Sequence, residues 1–208
     1  MFISPNLNKI PYSNQRIRIG VLASGNGSNF ESLVKSTQND TLNAEIVILI
    51  VNKPNCQAIK RAIKLKIPYE IINNTSYSRV DYDKLIINKL NEYSVEMVVM
   101  AGWMRIVGDA LIMHFNNRLI NIHPSLLPSF KGVDAIQQAI DKKVMISGCT
   151  VHHVVKEVDS GEIIIQAAIP IEITDNYQSI KDKIQLMEHQ ILPIGVGIVA
   201  HNILNNHG

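Results

Sequence analysis

The sequence predicts an α/β fold, a single domain built on a doubly wound, mostly parallel sheet with a C-terminal helix. Three observations carry that reading. Short runs of Val, Ile and Leu alternate with segments of helical apolar spacing, the pattern of repeated βα units joined by right-handed crossovers. The runs are almost continuously apolar, as in a sheet covered on both faces. A glycine-rich turn, Ser24-Gly25-Asn26-Gly27-Ser28-Asn29, joins the first main run to the first helix.

Bulk properties narrow the class. At 208 residues the chain suits one large domain with a substantial core. With 46% hydrophobic and 18% charged residues, the composition argues against disorder. A net charge of +2 without a Lys/Arg cluster gives no reason to expect a nucleic-acid partner. The longest apolar runs, 46–51 and 97–102, are far too short to span a bilayer, so no membrane partner is expected. Cys56 and Cys149 are too few for a disulfide framework and lack metal-ligand spacing, which fits a reducing cytoplasm and a site without metal. Residues 1–15 are polar, with Pro5, Pro11 and several Asn, and lack the charged-then-apolar pattern of a secretory signal. They are expected to form a flexible leader to a domain over 16–208.

The elements follow in order. Residues 18–23 read as a buried strand and 30–35 as a helix, with the glycine turn between them. Strand, turn and helix N-terminus make a ready anion site, because backbone N–H groups there point outward at a ligand. A plain tight turn with an Asn or Ser N-cap fits the same residues. The dinucleotide fingerprint is only partly met, since Phe30 stands where its third Gly belongs, and the P-loop Lys is absent, so a phosphate monoester fits better. Residues 45–52 are a second strand, 58–65 a helix, 68–72 a short strand, and 81–93 a helix with Leu85, Ile86, Leu90 and Tyr93 on one side. Residues 96–102 are a fourth strand. In the loop after it, Trp103 and Met104 taken alone read as core residues and Arg105 as a surface charge with a partly buried stem.

Residues 118–123 form the strand to which the chemistry points. Pro124 stops it, having no N–H for a sheet ladder. Alternation sends Ile120 and Ile122 into the core and puts Asn121 and His123 side by side. An amide donor beside an imidazole at the carboxyl end of a parallel strand suits a carbonyl that becomes an oxyanion. The same pair also fits a strand cap and a satisfied buried histidine. Residues 133–141 then read as a helix, 148–155 and 163–170 as strands, and Asp159-Ser160-Gly161 as turn chemistry between them. Residues 179–201 read as a helix broken near Pro193.

Asn-Ile-His-Pro-Ser-Leu-Leu-Pro at 121–128 closely resembles the signature of the formyltransferases that use 10-formyltetrahydrofolate. The resemblance runs from about residue 18 to about residue 193. It rests also on the 25–29 turn, on Gly102-Trp103-Met104-Arg105-Ile106, and on the Gly-x-Thr-Val-His…Asp-x-Gly pattern of 148–161. It implies a Rossmann-like formyltransferase fold whose N-terminal half binds a ribonucleotide phosphate and whose C-terminal half binds folate and carries the catalysis. The branch it most resembles formylates glycinamide ribonucleotide in de novo purine (IMP) synthesis, with 10-formyltetrahydrofolate as co-substrate. The implied partners are these two small molecules, and the implied assembly is a monomer or homodimer.

The resemblance also implies roles. Gly25, Asn26, Gly27, Ser28 and Asn29 would cradle the phosphate, and Gln185 and Glu188 would contact the ribose. Met104, Arg105, Ile106 and Val107, through backbone and apolar side chains, would hold the folate together with Asn121. Asn121, His123 and Asp159 would be catalytic, with His152 and Thr150 supporting them. Asp159, paired with His123, is expected to raise the imidazole's pKa and to position a proton-carrying water. Lys131 stands where many relatives have Pro.

Other readings share parts of the pattern. Methionyl-tRNA formyltransferase calls for a further tRNA-binding domain and a basic patch. Formyltetrahydrofolate hydrolase carries an N-terminal regulatory domain and needs no phosphate turn, and a sugar-nucleotide formyltransferase fits the length and the phosphate motif less well. A non-catalytic nucleotide- or folate-binding module has no use for Asn121, His123 and Asp159 together. A dinucleotide-dependent dehydrogenase lacks its acidic residue after the second strand, where Val51-Asn52-Lys53 stands.

Overall fold

The computed structural model describes residues 2–5, 15–73 and 77–205. In chain order the elements are β1 (Phe2–Ser4), β2 (Ile17–Ala23), α1 (Ser28–Gln38), β3 (Ala44–Val51), α2 (Gln57–Leu65), β4 (Tyr69–Ile71), α3 (Arg79–Glu92) and β5 (Met97–Met100). They continue with α4 (Asp109–His114), β6 (Leu119–His123), α5 (Ala135–Asp141), β7 (Ile146–His153), β8 (Ile163–Pro170) and α6 (Tyr177–Asn205). Among the described residues one sheet forms, in the order β1-β8-β7-β6-β5-β2-β3-β4.

The doubly wound α/β class holds. Strands β6, β5, β2, β3 and β4 pair in parallel. Their alternating side chains feed two cores. Ile17, Ile19, Val21 and Ala23 of β2 pack with Phe30 and Leu33 of α1 and with Ile184 and Ile191 of α6. Leu22 and Ile50 face the other way, into Tyr82, Ile86 and Leu90 of α3 and Leu111 of α4. Phe30, in the position of the missing third glycine, is fully buried, which stabilises by roughly 1.5–3 kcal/mol relative to exposure. Close helix–strand packing is achieved here by filling the space rather than by emptying it.

Three features depart from the sequence reading, while the antiparallel β7 falls within its mostly parallel sheet. Phe2–Ser4, expected in a flexible leader, pairs antiparallel with β8 as the edge strand, and residues 6–14 of that leader lie outside the described residues. Strand β7 runs antiparallel to both β6 and β8. The 154–162 connection is too short for the crossover that a parallel β7–β8 pair needs. Helix α4 is an extra turn-and-a-half after the 102–108 loop.

Helix α6 passes through Pro193 instead of breaking there. A proline withholds the N–H that the carbonyl four residues back, on His189, would accept. Ser32 Oγ on α1 donates to that carbonyl at 3.0 Å. A hydroxyl from another helix thus replaces the missing backbone donor. Long as it is, α6 is no bilayer span: among the described residues, no helix is long and apolar enough to cross a membrane.

Candidate active site

The carboxyl ends of β2, β5 and β6 bring the candidate residues together. The Ser24–Asn29 turn leaves β2, the 102–108 loop leaves β5, and Asn121 and His123 end β6. Adjacent strands lie about 4.8 Å apart, so the turn and the Asn121 strand are separated by roughly 10 Å. Ser24 Oγ accepts from Met104 N at 2.9 Å, which ties the glycine turn to the 102–108 loop.

The glycine turn leaves the N-terminus of α1 open. The N-cap of α1 is Gly27, at φ 75, and no side chain caps the helix. The alternative reading, a plain turn with an Asn or Ser N-cap, is therefore not met. A Cβ at Gly27 would stand 2.7 Å from Ala58 Cβ, so the turn needs glycine for both its left-handed conformation and the close approach of α2. First-turn N–H groups have no intrahelical acceptors, so an uncapped N-terminus favours an anion. Arg61 of α2, which the sequence reading missed, donates to Asn26 O at 2.9 Å and to Asn26 Oδ1 at 2.6 Å and also pairs with Glu31. An Arg three positions after Ala58, on the helix facing the turn, was the available signal.

Gln185 and Glu188 both reach this turn from α6. Gln185 Nε2 donates to Ser28 Oγ at 2.7 Å, and Asn29 Nδ2 donates to Glu188 Oε2 at 2.9 Å. Glu188 is buried at this contact. Burial pushes its carboxyl up to about 7 against the opposing pull of Asn29.

Asp159 joins the catalytic candidates. It sits in the left-handed region at φ 48, at a turn tip, a conformation that Asp tolerates. Its Oδ2 lies 3.2 Å from His123 Nδ1 and accepts from Gly132 N at 2.8 Å. Its Oδ1 lies 3.5 Å from both Asn121 Nδ2 and His152 Nε2. Burial alone would raise its pKa, but His152, the Gly132 N–H and His123 together hold the carboxyl below its usual range. His152 Nδ1 donates to the His153 carbonyl at 2.8 Å, so Nε2, 3.2 Å from Asn121 Nδ2, donates to Asp159 when it carries a proton and accepts from Asn121 when it does not. The second Asn121 N–H is held only by the long reach to Asp159 and can turn to a ligand oxygen. Thr150 supports the loop from beneath: it donates to Ser125 O at 2.7 Å and accepts from Leu127 N at 3.1 Å.

His123 corrects one expectation. Its Nε2 meets the Phe130 carbonyl at 2.8 Å while Nδ1 faces Asp159, so only a doubly protonated ring donates at both ends. Burial nevertheless pushes the pKa down, and the Phe130 carbonyl and Asp159 offset only part of that shift. The carboxylate does not raise the imidazole's net affinity above the ordinary one. Phe130, at φ 55, is a bulky residue in the left-handed region, and that strained turn accompanies the carbonyl's contact with the ring. Lys131 Nζ donates to Ser160 Oγ at 2.6 Å and so links the 129–132 loop to the Asp159 turn.

In the 102–108 loop Trp103 is buried, as read, but Met104 is not a core residue. Met104 and Ile106 are exposed, at 76% and 56%, and present apolar side chains to solvent, whereas Val107 is buried. A cavity of about 560 Å³, lined by Arg16, Arg18, Glu45 and Lys66 among others, lies at the amino ends of β2 and β3, the wrong end of a parallel sheet for this chemistry. A smaller one of about 360 Å³ adjoins the glycine turn between Asn26, Lys60, Arg61 and Lys64.

An open α/β sheet with an uncapped helix N-terminus at one strand end and a partly buried Asn–His–Asp cluster near another suits a group-transfer class. The chain belongs to the formyl transferase family, whose model matches residues 17–196. It is 39% identical over 192 residues to a phosphoribosylglycinamide formyltransferase of Bacillus subtilis (strain 168), covering 92% of this chain and 97% of that protein. It is also 39% identical over 194 residues to the trifunctional purine biosynthetic protein adenosine-3 of Homo sapiens, covering 93% of this chain but 19% of that protein. The chain thus spans about a fifth of the trifunctional relatives' length. Among solved structures, glycinamide ribonucleotide transformylase 1 from Symbiobacterium toebii matches with a TM-score of 0.89 at 34% identity, over 95% of this chain and 92% of that one. A phosphoribosylglycinamide formyltransferase from Bacillus halodurans matches with a TM-score of 0.85 at 37% identity, over 88% and 94%.

Proposed function

We propose that this chain transfers the formyl group of 10-formyltetrahydrofolate to the amine of glycinamide ribonucleotide, a step of de novo purine synthesis. The observation that carries the mechanism is a single carboxylate, Asp159, touching both Asn121 and His123 at the end of β6. The family and the relatives' names support the substrate pair. The uncapped turn at 25–29, two strands away, supports a phosphate there, with Gln185 and Glu188 beside it for the ribose.

In this reading the amine attacks the formyl carbon, a C–N bond forms and the formyl oxygen becomes an oxyanion. Asn121 donates its loosely held N–H to that oxygen. His123 supplies a second donor when Nε2–H turns from the Phe130 carbonyl to the oxyanion, and Asp159 stabilises the imidazolium. A water on Asp159 carries the proton from the attacking nitrogen to the departing folate nitrogen as the C–N bond to tetrahydrofolate breaks. The exposed Met104 and Ile106, with the buried Val107 and the backbone at Arg105, fit a flat heteroaromatic ring. The reaction calls for no metal, and the free Cys56 and Cys149 suit a reducing, cytoplasmic setting.

Losing an oxyanion donor typically lowers kcat by about 10²–10³. Steady-state kinetics of Asn121→Ala are expected to show that loss with KM for the ribonucleotide near the parent value, and Asp159→Asn a comparable one. Near-parental turnover in both variants would refute the assigned roles.

A further inference from the structure

The 102–108 loop is held from one side by two consecutive residues of α3, Tyr82 and Asp83. We infer that Tyr82 and Asp83 are positioning residues for the folate half of the site, acting through Arg105 and Gly108 without touching the ligand. This rests on the functional reading above.

The contacts are specific. The Arg105 guanidinium lies over the Tyr82 ring, 4.7 Å from its centroid, and Trp103 stacks on the same residue at 6.4 Å and 16°. Tyr82 is itself fixed, buried and donating its hydroxyl to Ile72 O at 2.6 Å. Arg105 Nε is buried without a hydrogen-bond partner among the described residues, so the aromatic face is what anchors that part of the side chain. At the far end of the loop, Asp83, 1% exposed, accepts from Leu111 N at 3.4 Å and lies against Gly108. A Cβ at Gly108 would collide with Asp83 Oδ2. The pair therefore clamps the loop at its middle and at its exit into α4. Between the clamped points stand the exposed Met104 and Ile106, whose direction decides how a flat ring is received. Aligned buried or half-buried cation–aromatic contacts are strong enough to set such a loop.

The test is a KM-against-kcat split read alongside fluorescence of Trp103, the chain's only tryptophan. Tyr82→Leu is expected to raise KM for 10-formyltetrahydrofolate about tenfold, with KM for glycinamide ribonucleotide within about twofold of the parent. Its Trp103 emission should shift to the red, while Tyr82→Phe, which keeps the ring, should match the parent in both. Arg105→Gln leaves α3 untouched and serves if Tyr82→Leu does not fold. It is expected to show the same folate-selective loss, with Arg105→Lys recovering most of it. In the double variant Tyr82→Leu/Arg105→Gln the two losses should not multiply, because both break one contact. Equal effects on both substrates, or no rescue by Lys, would overturn the inference. A parent without ribonucleotide-dependent turnover would instead sink the functional reading, a result visible before any variant is made.

Discussion

Glu188 is the residue at which charge, burial and recognition meet. Its carboxyl is buried against Asn29 of the glycine turn, with its pKa raised from 4.5 to about 7. An acid whose folded pKa exceeds its unfolded value binds more protons in the native state, so its contribution favours folding below the unfolded value and is lost as pH rises through the folded one. The chain should therefore lose stability between about pH 4.5 and about pH 7 by up to roughly 3 kcal/mol from this group. Glu188→Gln keeps an acceptor for Asn29 but removes the titration. Urea unfolding across that range should be flatter for the variant, and identical slopes would show that the carboxylate is not desolvated in solution. The family pattern expects Glu188 on the ribonucleotide side, and the structure brings it to the 25–29 turn. That Asn29 would be its partner was not legible, since the two are 159 positions apart.

At the scale of elements, the parallel, two-face-covered character of β2 to β6 was legible because near-continuous Val/Ile/Leu runs leave little choice of sheet type. What escaped was set by contacts remote in sequence. The continuity of α6 through Pro193 depends on Ser32, whose hydroxyl satisfies the carbonyl that the proline orphans. Ser32→Ala should cost about 1 kcal/mol in chemical denaturation. In a Pro193→Ala background, where a backbone N–H is restored to His189 O, the same change should cost close to nothing. Equal costs in the two backgrounds would mean that Ser32 is not the substitute donor. The edge strand Phe2–Ser4 escaped for a related reason. Its partner is β8, remote in sequence, and a three-residue strand at the chain's start carries no periodicity to read.

Across the whole molecule, the carboxyl ends of the sheet gather the candidate residues. Strand β2 ends in the uncapped glycine turn, β6 ends in Asn121 and His123, and the loop after β5 lies between them with exposed apolar side chains. Helix α6 and the Asp159 turn close on these ends from the C-terminal half, through Gln185 and Glu188 on the turn and Asp159 on His123. That arrangement predicts an obligatory two-substrate reaction rather than hydrolysis of the folate alone. The direct test is an absorbance assay of tetrahydrofolate release from 10-formyltetrahydrofolate, run with and without glycinamide ribonucleotide. Turnover that depends on the ribonucleotide is the expected result. Equal turnover in its absence would identify a hydrolase, and folate binding with no turnover under either condition would contradict catalysis by Asn121, His123 and Asp159 altogether.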